Sequence, residues 1–374
     1  MVFLDNASTT KVIPECIEIY NKYQNDLFFN PSAQYHESIE ISKELTEARL
    51  SIMKDLHCLS GQIIFTSSGS ESDNIALFCT KKQNGSRIIV SNSEHPAVYK
   101  AAQELKQKGY DVVFCPVDNT GAVIVDEFKK LVNANTSLIS IMHVNNETGC
   151  VNDIKKLVTI AKQINPNVIF HSDGVQAVGK IDVNVGNLGV DLYTICGHKI
   201  HVQKGIAALY IAKNIVLKPF LFGGGQEQGI RSSTENMGGI KALEYGIHEA
   251  VKKLDNNELS SINSELKSFF KKKGCKVIES AIQSKYIMCV CMPKIRGEVM
   301  LHSLEKYGIL IGTGSACSSK KASSRLAQIL QIMGTEYEKG IIRLSFSRFT
   351  TLDEIKFFEE SFEKEFDILK KYIS

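Results

Sequence analysis

Along the first two thirds of the chain, short unbroken apolar runs alternate with longer stretches in which apolar residues recur every three or four positions. The runs "RIIVS" (87–91), "DVVFCPV" (111–117), "SLISIMHV" (137–144), "NVIFHSD" (167–173), "DLYTIC" (191–196) and "IAALYI" (206–211) read as buried strands. A helix is plainest over residues 37–57, where Ile41, Leu45, Ala48, Ile52 and Leu56 fall on one face. Strands alternating with helices predict an α/β layer around a mostly parallel sheet.

The pattern changes at "KKLDNNELSSINSELKSFFKKKG" (252–274), which is polar and helical and ends on Gly274. A domain boundary is expected near residue 255. Beyond it the sequence predicts strands at 275–279 and 286–292, a helix at 297–307, a Gly/Ser-rich segment, a strand at 342–347 and a closing helix. That helix opens with Thr351 and Glu354, the spacing of a capping box, and carries Ile355, Phe358, Phe362, Phe366 and Leu369 as its apolar stripe.

Composition narrows the function classes. At 374 residues the chain can hold two domains, or one large domain and a smaller appendage, and its 43% hydrophobic and 23% charged content is that of an ordinary globular protein. A net charge of +3 is too mild to make nucleic acid the main ligand. No apolar run approaches the ~18 residues of a membrane helix, and "MVFLDNASTT" has no secretory pattern. Ten cysteines without regular spacing do not make a disulfide framework, so a reducing cytoplasm is the expected location.

Chemistry enters with "VDLYTICGHKIHVQKG" (190–205), where Gly-His-Lys follows a strand directly. Ligands collect at the carboxyl ends of strands in such sheets. Lys199 there reads as a Schiff-base lysine for pyridoxal 5'-phosphate, or else as a solvated surface lysine. Asp173 ends the preceding strand and suits the acid beside a pyridine nitrogen, or the N-cap of a helix starting at 174. "FTSSGSESDNIALF" (65–78) is a strand end, a Ser/Gly turn and a helix start, the makings of a phosphate cradle. His95 lies in "SEHPAVY" (93–99), and "HVNNETG" (143–149) sets paired asparagines after a strand. Cys317 sits in "GTGSACSSKK" (312–321), where no apolar neighbour covers it.

Together these segments resemble the class V pyridoxal-phosphate enzymes of the aminotransferase superfamily, and among them the cysteine desulfurases. The resemblance extends from "LDNASTT" (4–10) through "NPSAQYHE" (30–37) and "FGGGQEQGIRSSTEN" (222–236) to "IRLSFSRFTTLDEI" (342–355). It implies an α/β fold of the pyridoxal-dependent transferase type I. A large domain at about 15–255 would hold a mostly parallel mixed sheet, and a smaller α+β domain would combine 1–14 with 256–374. It further implies that Lys199 carries the cofactor and moves the substrate's α-proton, with His95 stacked on the ring. Asp173 would face the pyridine nitrogen and Gln176 the phenolic oxygen. Gly69, Ser70, Cys196 and His198 would line the phosphate, joined by Thr234 from the other subunit of a homodimer. Asn146 and Arg343 would meet the substrate carboxylate, and Cys317 would take the sulfur of L-cysteine as a persulfide, leaving L-alanine. The sulfur would pass to an acceptor protein of iron–sulfur assembly or tRNA thiolation, with Lys320 and Lys321 near the docking point. No metal, membrane or direct nucleic-acid partner is implied.

The sequence departs from the family at Cys196, where serine is usual, at Val202 and Gln203, where Gly-Pro is usual, and at Ser233 and Tyr35. Two other functions fit the same motifs. One is a selenocysteine lyase or another class V lyase or transaminase. The other is a catalytically weak platform that binds a sulfur acceptor.

Overall fold

The computed structural model of the 374-residue chain describes residues 1–254, 257–313, 337 and 339–372. From the N-terminus come β1 (Val2–Leu4), α1 (Pro14–Asn25), α2 (His36–Asp55), β2 (Gly61–Thr66), α3 (Gly69–Cys79), β3 (Arg87–Ser91), α4 (Pro96–Gln107) and β4 (Asp111–Cys115). Next are α5 (Val125–Leu131), β5 (Thr136–Ser140), α6 (Ile154–Ile164), β6 (Ile169–Asp173), α7 (Val185–Leu188), β7 (Leu192–Cys196), β8 (Ala207–Ala212) and α8 (Met237–Lys252). Then follow α9 (Asn257–Lys272), β9 (Lys276–Val277), β10 (Ile287–Cys291), α10 (Gly297–Glu305), β11 (Ile309–Ile311), β12 (Ile341–Ser345) and a C-terminal helix, Leu352–Lys370.

Seven strands form one sheet in the order β2-β8-β7-β6-β5-β3-β4. Strands β3 to β7 pair in parallel, and β8 runs antiparallel to both β7 and β2. The unbroken apolar runs follow from burial of both faces. Ile63, Phe65, Ile89, Ile139, Tyr193 and Ile195 pack into one cluster with α1, α2 and α8. Their strand neighbours Ile64, Ile88, Val90, Leu138 and Leu192 pack on the other face with α3 and α4. A period of two sends successive side chains to opposite faces, and here both faces are covered. The run expected at 137–144 ends as a strand at Ser140. Residues beyond it still run beside β6, with the Ile141 amide donating to the His171 carbonyl (3.1 Å) and the His143 amide to the Asp173 carbonyl (2.9 Å).

A second core joins β1, α9, β10, α10, β12 and the C-terminal helix around Leu4, Phe270, Val290, Phe358 and Phe362. Its sheet is antiparallel in the order β12-β10-β9, and β1 pairs in parallel with β11. The Thr351–Glu354 capping box is present. After α9 the chain reverses at Gly274, whose φ of +74° favours a residue without a Cβ. Helix α1 and the three-residue strands β1 and β11 went unpredicted.

Candidate active site

β6 and β7 are parallel neighbours, with Asp173 paired to Thr194. Their carboxyl ends therefore deliver Asp173 and Cys196 to the same edge of the sheet. After Cys196 the chain makes a single tight turn, Gly197–Lys199, closed by the Ile200 amide donating to the Gly197 carbonyl (2.9 Å) and tied to the next segment by the Gly197 amide on the Ile206 carbonyl (3.1 Å). This turn aims Lys199 back toward the N-terminal segment, where its Nζ donates to the carbonyls of Ala7 (2.5 Å) and Ser8 (2.6 Å). Burial pushes the amine from 10.5 down to about 8, and Arg343 adds to the fall while Cys196, Asp5 and Asp173 oppose it.

Asp173 is 5% exposed. No helix starts at 174, and residues 174–180 form turns instead. The Val175 amide donates to Asp173 Oδ1 (2.9 Å), the carboxylate's sole hydrogen bond among the described residues. Burial raises its pKa, and Lys199 pulls it back. His95 caps α4, its Nδ1 accepting from the Ala97 amide (3.2 Å). The residue keeps contact with solvent while protein crowds its ring. That crowding, with Lys199's charge, lowers its pKa from 6.5 to about 4, so the ring is neutral near pH 7.

On the other flank Ser68 caps α3, its side chain accepting from the Glu71 amide, and Gly69 and Ser70 begin the helix. A Cβ on Gly69 would come within 2.9 Å of Val175. The amides of Gly69 and His198 point at the Cys196 thiol. His198 Nδ1 meets Thr9 Oγ1 (3.1 Å). Thr234 is exposed, on a segment held by two ion pairs, Arg231 to Glu71 (2.7 Å) and Arg49 to Glu227 (2.6 Å).

Gln176 is buried, and its Nε2 donates to the Ala7 carbonyl (2.8 Å). Arg343 is 7% exposed on β12. Its Nη2 donates to Asp5 Oδ1 (2.7 Å), and its Nη1 to the Asn146 carbonyl (2.9 Å) and to Glu147 Oε1 (3.2 Å). Its buried Nε has no hydrogen-bond partner among the described residues. The Asn146 side chain also donates to Glu147 Oε1 (2.8 Å). Cys317, Lys320 and Lys321 lie outside the described residues. The nine described cysteines are all buried and unbridged, including Cys115, Cys289 and Cys291, which the sequence reads as core.

Asp173, Gln176, His95, Gly69 and Arg343 thus lie around Lys199, and the set fits pyridoxal phosphate. Asp173 has an oxygen to spare for a pyridinium. Gly69 at the start of α3 allows close approach of a phosphate to amide donors. Lys199 is desolvated enough to be a nucleophilic amine near neutral pH. Arg343 Nε is an unused donor for a carboxylate. Asp5, Glu147, Lys180 and the carbonyls of Ala7 and Ser8 were not predicted as site residues. Asp5, Ala7, Ser8 and Glu147 lie within segments that carry the resemblance, "LDNASTT" and "HVNNETG", but no role was attached to them.

A family profile described as aminotransferase class-V matches residues 2–358. The cysteine desulfurase IscS of Dictyoglomus turgidum is 35% identical over 372 residues, covering 95% of this chain and 92% of that one. The cysteine desulfurase IscS of Clostridium botulinum is 34% identical over 378 residues, covering 97% and 94%. Among solved structures, a NifS-like protein superposes with a TM-score of 0.92 at 30% identity, covering 98% of this chain and 99% of that one. A NifS-like protein from Rickettsia africae superposes at 0.87 with 27% identity, covering 98% and 99%.

Proposed function

The chain belongs to the class V aminotransferase family, and we propose how it works as one of that family's pyridoxal-phosphate-dependent cysteine desulfurases. It converts L-cysteine to L-alanine: the C–S bond breaks, the β-carbon gains a proton, and the sulfur is bonded to a protein thiol. The cofactor, when bound, supplies an electron sink that makes the substrate's α-proton acidic.

The chain's own residues do the rest. Arg343 binds the substrate carboxylate, with Asp5 and Glu147 fixing its guanidinium and Asn146 alongside. Lys199 holds the cofactor and moves the α-proton, a task suited to an amine poised near neutral pH. Asp173 keeps the pyridine nitrogen protonated, and Gln176 donates to the phenolic oxygen. His95 stacks on the ring and, being neutral, can accept or relay a proton. Gly69, Ser70, Cys196 and His198 seat the phosphate. The thiolate of Cys317 attacks the substrate sulfur and keeps it as a persulfide. The observation that carries this reading is the desolvated Lys199 one strand from the half-satisfied carboxylate of Asp173.

The active unit is a homodimer in which Thr234 reaches the partner's phosphate. Exposure of Thr234 and of Phe28 (67%) and Phe222 (83%) supports this. The sulfur passes to an acceptor protein of iron–sulfur assembly or tRNA thiolation. Nine buried, unbridged thiols support a reducing cytoplasm. The two separate cores support a division into 15–255 and 1–14 with 256–374.

The test pairs the wild type with Cys317→Ala, recording the visible spectrum and then alanine and sulfide from L-cysteine. Both proteins are expected to be yellow and only the wild type active. Equal activity would shift the assignment to a lyase that does not use the thiol, and colourless protein would remove the cofactor.

A further inference from the structure

Lys180 is 8% exposed, and no carboxylate among the described residues pairs with it. Its only hydrogen bond among them runs from Nζ to Gln176 Oε1. The titratable and charged groups facing it are Lys199, Arg343, Cys196, His198 and His201, of which the two cations Lys199 and Arg343 oppose its charge. Burying a lysine against two cations is costly. A fold that keeps it there, four residues from Gln176, calls for a reason.

The reason lies in the symmetry of an amide. The two ends of a glutamine side chain have nearly the same shape, and only hydrogen bonding sets which end faces where. Gln176 is buried between Lys180 and the Ala7 carbonyl, the same carbonyl that receives Lys199 Nζ. In either protonation state Lys180 has N–H groups to offer, so it draws Oε1 to itself. That leaves Nε2 pointing toward Ala7 and Lys199, with one N–H on the Ala7 carbonyl and a second to spare. Turned end over end, the amide would aim lone pairs at the Ala7 carbonyl and at any phenolic oxygen brought beside Lys199. The chain between the two residues is shaped for this contact: Gly179 has a φ of +71°, and a Cβ there would come within 2.6 Å of Ala250.

We propose that Lys180 is a positioning residue that locks the Gln176 amide with its N–H side toward Lys199 and the cofactor's phenolic oxygen. The inference rests on the pyridoxal-phosphate reading above. It assigns Lys180 no contact with the reacting atoms and predicts that its effect on cofactor affinity passes through Gln176.

The test uses full-length wild type, Lys180→Met, Lys180→Arg, Gln176→Leu and the Lys180→Met/Gln176→Leu double variant, each reconstituted with pyridoxal phosphate. Two readouts are taken: cofactor affinity, and the pH midpoint at which the bound cofactor's visible band changes form. Lys180→Met is expected to weaken affinity about tenfold, the weight of one hydrogen bond, and to raise the spectral midpoint by about one pH unit. Lys180→Arg retains the donor and should restore much of both. In the Gln176→Leu background, removing Lys180 should leave cofactor affinity unchanged, and the midpoint should keep only the smaller upward move that comes from taking a cation away from Lys199. A folded Lys180→Met with wild-type affinity and midpoint would overturn the proposal, as would an undiminished shift in the Gln176→Leu background. Should thermal melting show the methionine variant unfolded, Lys180→Gln, too short to span the gap, takes its place with the same expected outcomes. Wild type that takes up no pyridoxal phosphate would overturn the cofactor reading itself, a result distinct from an unaffected variant.

Discussion

Gly312 and Arg343 exchange both of their backbone hydrogen bonds, Gly312 N to Arg343 O at 3.0 Å and Arg343 N to Gly312 O at 2.8 Å. The segment bearing Cys317 therefore follows closely on the residue paired with Arg343, to which we assign the substrate carboxylate. Cys317 follows Gly312 by five residues, so chain connectivity alone keeps their Cα atoms within about 17 Å. A Cβ on Gly312 would stand 2.9 Å from Asp5 Oδ1 and 3.1 Å from Arg343 Nε. Gly312→Ala should displace the guanidinium and raise KM for L-cysteine by about tenfold or more, since small misplacements of a positioning group are costly. Pyridoxal phosphate content should not change. Steady-state kinetics with an alanine readout checks it, and an unaltered KM would remove Arg343 from the substrate site.

The position of Lys199 sets a pH dependence. Burial lowers its pKa from 10.5 to about 8, so the neutral amine becomes the major form above about 8 rather than above 10.5. Uptake of pyridoxal phosphate by the cofactor-free protein, followed by its visible band, should speed up with rising pH through a midpoint near 8. Arg343 contributes to the lowering, so Arg343→Gln should move that midpoint upward. A midpoint near 10 in the wild type would mean that Lys199 is solvated, and that another lysine or none holds the cofactor.

How far the sequence carries depends on the distance over which a feature is written. The parallel strands were legible because each run, such as "RIIVS", holds its own alternation: Ile88 and Val90 to one face, Ile89 to the other. The Thr351–Glu354 box was legible because it is complete within four residues. Lys199 and Asp173 were legible because strand ends announce them. The pairing of Val2–Leu4 with Ile309–Ile311 was not, since three residues carry no period and their partner is some 300 positions away. Nor could the grip of Asp5 and Glu147 on Arg343 be read, because it exists only where three distant segments meet. Lys180 was hidden for a different reason. Buried lysines are rare enough that its position in "AVGK" reads as surface.

Cys196 stands where the relatives' pattern has serine, and its thiol accepts the Gly69 and His198 amides that flank the phosphate seat. Burial raises its pKa, so the thiol stays protonated and adds no charge to repel a phosphate. Sulfur is nevertheless a weak hydrogen-bonding group. Cys196→Ser should tighten pyridoxal phosphate binding by about fivefold, the worth of one better hydrogen bond, measured as slower cofactor loss on dilution. Weaker binding in the serine variant would show that these amides already serve the phosphate without help from residue 196.

The last prediction concerns stability and lies outside the site, on the C-terminal helix. Glu359 is partly buried near Glu265 and Glu363, and its Oε1 has no hydrogen-bond partner among the described residues. Burial first, then these two carboxylates, push its pKa from 4.5 up to about 7, with Lys272 opposing. A carboxyl raised in the folded state binds more protons folded than unfolded between those values. Its contribution is therefore complete below about 4.5 and is lost as pH rises toward 7. Glu359→Gln removes that loss. Because the group is partly solvated, the full shift overstates the energy, and a gain of about 1 kcal/mol at pH 8 is expected. The gain should shrink toward zero near pH 4.5. Denaturant titrations of both proteins at the two pH values check it. An equal gain at both would mean that the glutamine acts through packing, and no gain at pH 8 would mean that Glu359 is ionised at no cost in the folded chain.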